Sequence, residues 1–230
     1  MTHCFKAVLL PMLTLGLGTA AVAQQNHDTQ WRTKPLEKRA YAAKDADLAL
    51  RNFAKCAVNR RFEHANTYVL AAVDSTSKIS ALRQLVMSSD DGCLYGFTNE
   101  VRLRFSPDVM SGALGQALTA KYYPDLPAIL AARPLSAEEE AAHVAPLPPA
   151  EIFARCVVRR NPVASIALVA SEGLSVEERK AIDALRPDLG PCLLAGSSMT
   201  INPLFLRTYI GIASYRLGVE MRPPFGRVGA

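Results

Sequence analysis

Cysteines have the most reactive side chains in this sequence, and four of them follow the first 23 residues: Cys56, Cys93, Cys156 and Cys192. Such thiols can hold zinc, but structural zinc sites usually take ligands from closely spaced pairs, C-x2–4-C. Here the nearest cysteines are more than thirty residues apart. An even number of cysteines in an exported chain favours disulfides over zinc. We therefore predict two disulfides and no metal site.

Histidine is the side chain best suited to acid–base catalysis near neutral pH, and this chain has little of it. Only His64 of the four histidines falls inside a helical repeat; the others are His3, His27 and His143. A lone histidine near a helix end is more often a surface or capping residue. No nucleophile-elbow, zinc-protease, dinucleotide or P-loop pattern occurs after residue 23. We predict no catalytic residue and no cofactor.

Two pairs of arginines, Arg60 with Arg61 and Arg159 with Arg160, stand at nearly matching positions of two similar segments. One interpretation is an anion-binding patch that occurs twice. The other is that these arginines pair with local carboxylates or carbonyls and so support the fold. Because a binding site is usually needed once, their presence in both segments favours the structural role.

An internal repeat organises the segments that must position these residues. Phe53–Arg60 aligns with Phe153–Arg160, with five of eight positions identical. The second cysteine follows the first after 37 residues in one copy and 36 in the other, and a leucine follows each. Further along, Ser106 with its proline aligns with Asn202 and its proline. Three matches in the same order predict a duplicated module.

The duplication selects one disulfide pairing out of the three that four cysteines allow. A single ancestral module with two cysteines would pair them with each other. We therefore predict the bonds Cys56–Cys93 and Cys156–Cys192. In the chain-entropy model, loops of this length give about 4 kcal/mol of stabilisation for each bond.

Each copy is predicted to contain three helices. The second helix is predicted to begin at Ser75 in copy one and at Ser175 in copy two. The third is predicted to begin at Ser106 and at Asn202, respectively. Serine and asparagine are residues that cap helix N-termini. In copy two, Pro162 is expected to end or kink the first helix. A short extended stretch is expected before the third helix, at 101–105 in copy one and 199–201 in copy two.

Two glycines, Gly115 and Gly211, fall inside the third helix of each copy. Glycine in a helix interior costs about 1 kcal/mol relative to alanine. We therefore expect another helix to approach closely at these positions.

The predicted fold is all-α, with two tandem disulfide-stapled helical repeats behind a signal peptide. Six prolines within residues 123–149 indicate a stiff connector, with a short helix after Ser136. The predicted segments are a signal peptide at 1–23, a flexible segment at 24–44, module one at 45–122, a connector at 123–148, module two at 149–221 and a flexible tail at 222–230.

The first residues have the three parts of a secretory signal peptide. Lys6 precedes an apolar run from Ala7 to Val22, and Ala21 and Ala23 give an A-x-A ending. The run is interrupted by proline and glycine and is short for a bilayer span. We predict export to the periplasm or medium and a mature chain that starts at Gln24.

The charge balance is mild and excludes a dedicated nucleic-acid binder. The full chain has a formal net charge of +5, and removal of residues 1–23, with one lysine and no acidic residue, leaves +4. Nucleic-acid binders concentrate Lys and Arg far more strongly. No later segment is long and apolar enough to predict a transmembrane anchor.

The duplicated motif F-A-[KR]-C-[AV]-V-x-R, each copy followed by C-L behind a signal peptide, resembles a set of uncharacterised exported proteins of alphaproteobacteria. The resemblance covers about residues 45–220. It implies a periplasmic location and a helical repeat fold, and it carries no activity and no site residues.

These observations predict a binding or structural protein, because stacked helical repeats leave concave surfaces that usually bind peptides or proteins. The expected partner is a periplasmic protein or peptide. One alternative is a periplasmic enzyme with a site between the modules near His64. Another is an envelope-surface protein that binds anionic lipid through its arginines.

Overall fold

A computed structural model of the protein describes residues 36–87, 93, 105–194, 196 and 199–224. All regular structure within these ranges is helical, which confirms the predicted all-α class. A single 3-10 turn, Gly190–Cys192, follows α9. The α-helices are α1 Leu36–Arg60, α2 Phe62–Leu70, α3 Thr76–Met87, α4 Pro107–Tyr122, α5 Leu126–Ala132, α6 Ala137–Val144, α7 Pro149–Arg160, α8 Pro162–Ala170, α9 Val176–Leu189 and α10 Pro203–Met221.

Two sets of four helices, α1–α4 and α7–α10, have the same order and the same neighbours. In each set the first helix packs on the fourth, and the second packs on the third. The two sets meet mainly through α4 and α10, which form the most extensive helix pair of the described residues. Each of these two helices also contacts the second helix of the other set. The two sets therefore share one core.

Each set contains one helix more than the sequence predicts, because the first segment breaks in two. The break falls at Arg61 in one set and at Asn161 in the other. Pro162 lacks an N–H group and so opens α8, as expected for a proline that ends the preceding helix. The Asn161 side chain caps α8 by accepting a hydrogen bond from the Ala164 amide at 3.1 Å.

The turns before α3 and α9 have the same backbone. Asp74 and Leu174 both lie in the left-handed region, with φ of 60° and 62°. The Ser75 hydroxyl then caps α3, and the Ser175 hydroxyl caps α9 with a bond of 3.0 Å from the Glu178 amide. The predicted starts of both helices are therefore confirmed.

Close approach of α4 and α10 explains the glycines in these helices. A methyl group at Gly115 would lie 2.6 Å from the carbonyl oxygen of Gly211, and one at Gly211 would lie 2.7 Å from that of Gly112. Only glycine fits such contacts. The expectation of a neighbouring helix at Gly115 and Gly211 is confirmed.

The segments outside the two sets are more helical than predicted. The short helix after Ser136 is α6, with a complete capping box between Ser136 and Glu139. The helix α5 was not predicted in the connector, and α1 begins at Leu36, within the segment predicted to be flexible. Residues 36–44 are rich in alanine, leucine, lysine and glutamate, which are strong helix formers.

Some sequence predictions lie outside the described residues. They include the signal peptide, the start at Gln24, the extended stretch at 101–104 and the last six residues of the tail. In copy two, residues 199–201 form neither helix nor strand.

Both disulfides join the predicted partners. The Cα atoms of Cys56 and Cys93 are 5.4 Å apart, and those of Cys156 and Cys192 are 5.6 Å apart. The first bond ties α1 to the chain after α3, and the second ties α7 to the 3-10 turn after α9. The sulfur atoms of these four cysteines are therefore all in disulfide bonds.

Candidate functional site

A cavity of about 240 Å³ opens on the first set of helices, and we call it the Lys78 cavity. Its polar lining comes from Tyr68, Asp74, Lys78 and Asp108. Its apolar lining comes from Val73, Ile79, Leu82 and Pro107. Tyr68 and Lys78 are buried, whereas Val73 and Ile79 are about half exposed. Tyr68 and Lys78 therefore form the inner end of the cavity, whereas Val73, Ile79 and the exposed Asp74 lie at its mouth.

The amphipathic pattern of α3 places Lys78 at the inner end. Lys78, Ala81 and Leu85 are spaced i, i+3, i+7 and are all buried, with exposures of 7%, 3% and 3%. Residues with this spacing share one face of a helix. Lys78 therefore occupies a position where a helix usually carries an apolar side chain. Lys78 was not singled out from the sequence.

The Lys78 ammonium group lines the cavity and has no direct ion-pair partner among the described residues, although the carboxylates of Asp74, Asp108 and Glu151 act on it from a greater distance. Its Nζ atom lies 4.8 Å from the centre of the Tyr68 ring, a cation–π contact. Among the described residues it donates no side-chain hydrogen bond and forms no ion pair. Burial lowers the pKa of Lys78, and the nearby Arg216 guanidinium lowers it further, against the opposing carboxylates. A carboxylate brought into the cavity could form the direct ion pair that Lys78 lacks among the described residues.

Asp108 lies across the cavity, in the first turn of α4. A helix N-terminus favours a negative charge. The Tyr209 hydroxyl on α10 donates a 2.9 Å hydrogen bond to one Asp108 oxygen and so fixes the carboxylate. Burial raises the pKa of Tyr209 to about 12, and the bond to Asp108 adds to this effect. The tyrosine therefore stays a donor over the whole physiological range.

An ion pair with no net charge lies behind the cavity. Arg216 on α10 pairs with the buried Glu151 on α7 and also donates two hydrogen bonds to the carbonyl of Val69, at 3.2 and 2.9 Å. The Arg216 guanidinium therefore makes one ion pair and two hydrogen bonds within the protein. It holds the C-terminal end of α2, which carries Tyr68, in place.

The second set of helices has an ion pair where the first set has the cavity. Lys78 corresponds to Glu178, and Ser111 corresponds to Arg207 in the alignment of the repeats. Arg207 and Glu178 are both 3% exposed, and Nη1 of the arginine lies 3.1 Å from the glutamate Oε1. Gln116 accepts a further bond from Arg207 at 3.2 Å, and the amide of Leu174 donates to Glu178 at 2.7 Å. Every charge at this position is paired.

Three of the arginines predicted as possible anion ligands contact carboxylates or carbonyls of the protein, and Arg60 is exposed at the end of α1. Arg159 pairs with Glu140 at 2.9 Å, and Arg160 pairs with Asp188 at 3.0 Å. Arg61 donates to the Gln84 carbonyl. These contacts favour the structural role over an anion-binding patch. They do not form part of the Lys78 cavity.

His64 lies in the first turn of α2 and is partly exposed. It does not line the Lys78 cavity. No described nucleophile lies within hydrogen-bonding distance of it. The geometry therefore gives the enzyme alternative no catalytic pair at His64.

Comparison with protein families, curated proteins and solved structures finds no match. None of the described helices is long and apolar enough to span a bilayer. Within the same residues, no group of three or more potential metal ligands occurs. The function is therefore inferred from the geometry of the Lys78 cavity.

Proposed function

We propose that this is an exported binding protein whose ligand enters the Lys78 cavity and carries an acidic group on an apolar body. The observation that carries the proposal is Lys78, a largely buried residue whose ammonium lines the cavity and forms no ion pair among the described residues. Burying a charge without a partner is costly. A ligand that brings the counter-charge recovers that cost on binding. The apolar walls supply the rest of the affinity by excluding water.

The size of the cavity sets the scale of the ligand. Pockets for drug-sized molecules have volumes of about 300–1,000 Å³, and this one has about 240 Å³. The ligand is therefore comparable to a single residue or a short acyl chain. This supports a small molecule over the protein or peptide expected from the sequence.

Export is part of the proposal, and the two disulfides support it. Structural disulfides persist in oxidising compartments such as the periplasm and are rare in the cytosol. The first 23 residues, with their basic start, apolar run and A-x-A ending, point the same way.

Calorimetric titration of the oxidised full chain tests this function. The probes are isovalerate and hexanoate, with isovaleramide as the uncharged analogue. We expect saturable binding of the carboxylates and about tenfold or more weaker binding of the amide, because hydrogen bonds to charged groups contribute about 1.5–3 kcal/mol. Lys78→Met should weaken carboxylate binding by a similar factor.

Lys180→Met is the matched control, since Lys180 is an exposed lysine on α9, away from the cavity. It should bind the carboxylates as the natural chain does. Equal binding of amide and carboxylate, or unchanged binding by Lys78→Met, would overturn the proposal.

A further inference from the structure

We infer that the ligand of the Lys78 cavity is a free α-amino acid with an aliphatic side chain. The inference rests on the proposed function and goes further in naming a second charge on the ligand. The carboxylate would meet Lys78, the ammonium would meet Asp108, and the side chain would lie along the apolar wall.

The charges around the cavity favour a zwitterion over a simple acid. The lining contains one cation, Lys78, and two carboxylates, Asp74 and Asp108. The pair of Arg216 and Glu151 behind the cavity is neutral. A simple carboxylate would add a second excess negative charge to this site. An amino acid adds none, and it can satisfy both signs at once.

Lys78 and Asp108, two of the three charged residues that line the cavity, are not paired with each other among the described residues, and a ligand could contact both. Asp108 is held back by Tyr209, whose hydroxyl takes one carboxylate oxygen at 2.9 Å. The other oxygen is available to accept from an ammonium group. An α-amino acid carries its ammonium and its carboxylate on one Cα atom and so can present one charge to each of these two side chains.

The apolar lining fits an aliphatic side chain. Val73, Ile79 and Leu82 are all aliphatic, and the cavity is too small for a drug-sized body. The mouth at Val73 and Ile79 is about half exposed, so side chains of several lengths can extend outward. Branched aliphatic amino acids such as leucine match this lining.

A titration series that removes one charge of the ligand at a time tests the inference. The probes are leucine, N-acetylleucine, leucinamide and isovalerate, added to the oxidised full chain. We expect leucine to bind about tenfold or more tightly than each of the other three, because each lacks one charge. Asp108→Asn keeps an acceptor for Tyr209, and it should remove the preference for leucine over N-acetylleucine.

The control variant is Asp183→Asn, an exposed aspartate on α9, and it should keep that preference. If N-acetylleucine binds as tightly as leucine, the amino-acid inference is wrong and the proposed function stands. If leucinamide binds as tightly as leucine, or if none of the probes binds, both are wrong. The melting temperature of each free variant, measured alongside, separates lost binding from lost folding.

Discussion

The two sets of helices have the same order and the same neighbours, but they carry side chains of opposite charge at one corresponding position. This position holds Lys78 in the first set and Glu178 in the second. In the second set, Arg207 reaches Glu178 and fills the space with a buried ion pair. In the first set, the corresponding residues are Ser111 and Lys78, so a short side chain stands where the arginine would be. One set closes this position with charge pairing, and the other leaves a cavity with an unpaired ammonium.

The energetic consequence of this difference is also opposite in the two sets. A buried ion pair adds little net stability, but removing one partner leaves an uncompensated charge. Lys78 already lacks an ion-pair partner among the described residues. Substitutions at the two positions should therefore change stability in opposite directions.

The largest effect is expected for Arg207→Met. This change leaves the Glu178 carboxylate buried without its main partner, at a cost of about 3–5 kcal/mol. Urea unfolding of the oxidised chain measures the free energy of unfolding. Arg179→Met, at an exposed position on α9, is the control and should change this free energy by less than about 0.5 kcal/mol. If Arg207→Met lowered the free energy of unfolding by less than about 1 kcal/mol, the Arg207–Glu178 pair would not be important for the stability of the second set.

Local signals in the sequence were enough for much of the fold. The caps at Ser75, Ser175 and Ser136 depend on side chains within three residues, and these helix starts were predicted. The disulfide pairing followed from the repeat. The break before α8 was expected, because Pro162 cannot continue the preceding helix. The break before α2 was not predicted, because Arg61 does not interrupt a helix.

The candidate site was not predicted, for a physical reason. Two of its charged residues, Lys78 on α3 and Asp108 on α4, are far apart in the sequence and line one cavity only in the folded chain. One signal was present in the aligned repeats, where a lysine stands opposite a glutamate at a buried helical position. Charge reversal at corresponding buried positions indicates that one copy pairs its charge differently from the other.

The next largest effect is expected from moving the ion pair into the first set. Ser111→Arg places a guanidinium near the Lys78 ammonium at a buried position, and we expect a loss of about 3 kcal/mol from repulsion and overpacking. Adding Lys78→Glu supplies a carboxylate and should recover about 1–2 kcal/mol of that loss, a coupling typical of residues in contact.

The four members of this double-mutant cycle are compared by urea unfolding, with carboxylate titration as a second measurement. The double variant should have lost carboxylate binding, because the arginine fills the cavity. Strict additivity of the two single changes would mean that positions 78 and 111 do not face each other as Glu178 and Arg207 do. Retained binding in the double variant would place the ligand elsewhere.

The smallest effect is expected for the stability of Lys78→Met without ligand. Methionine fills a similar volume and removes a buried charge, so the variant should be more stable near neutral pH by about 1 kcal/mol, net of the lost contact with the Tyr68 ring. Burial lowers the pKa of Lys78 below its ordinary value of 10.5. The unfolded chain therefore holds this proton to higher pH than the folded chain does. Between the two pKa values, the stability of the natural protein rises with pH relative to that of the variant.

The advantage of Lys78→Met should thus be largest below the folded pKa and should shrink as the pH approaches 10.5. Unfolding free energies of both proteins, measured at several pH values from 7 upward, follow this difference. The tyrosines of the unfolded chain titrate in this range, at about 10, but they are present in both proteins and cancel in the comparison. Lys180→Met, which removes an exposed lysine, should show no such pH dependence. A Lys78→Met variant that is less stable than the natural protein at neutral pH would show that the ammonium is already paired, and the contrast between the two sets would disappear.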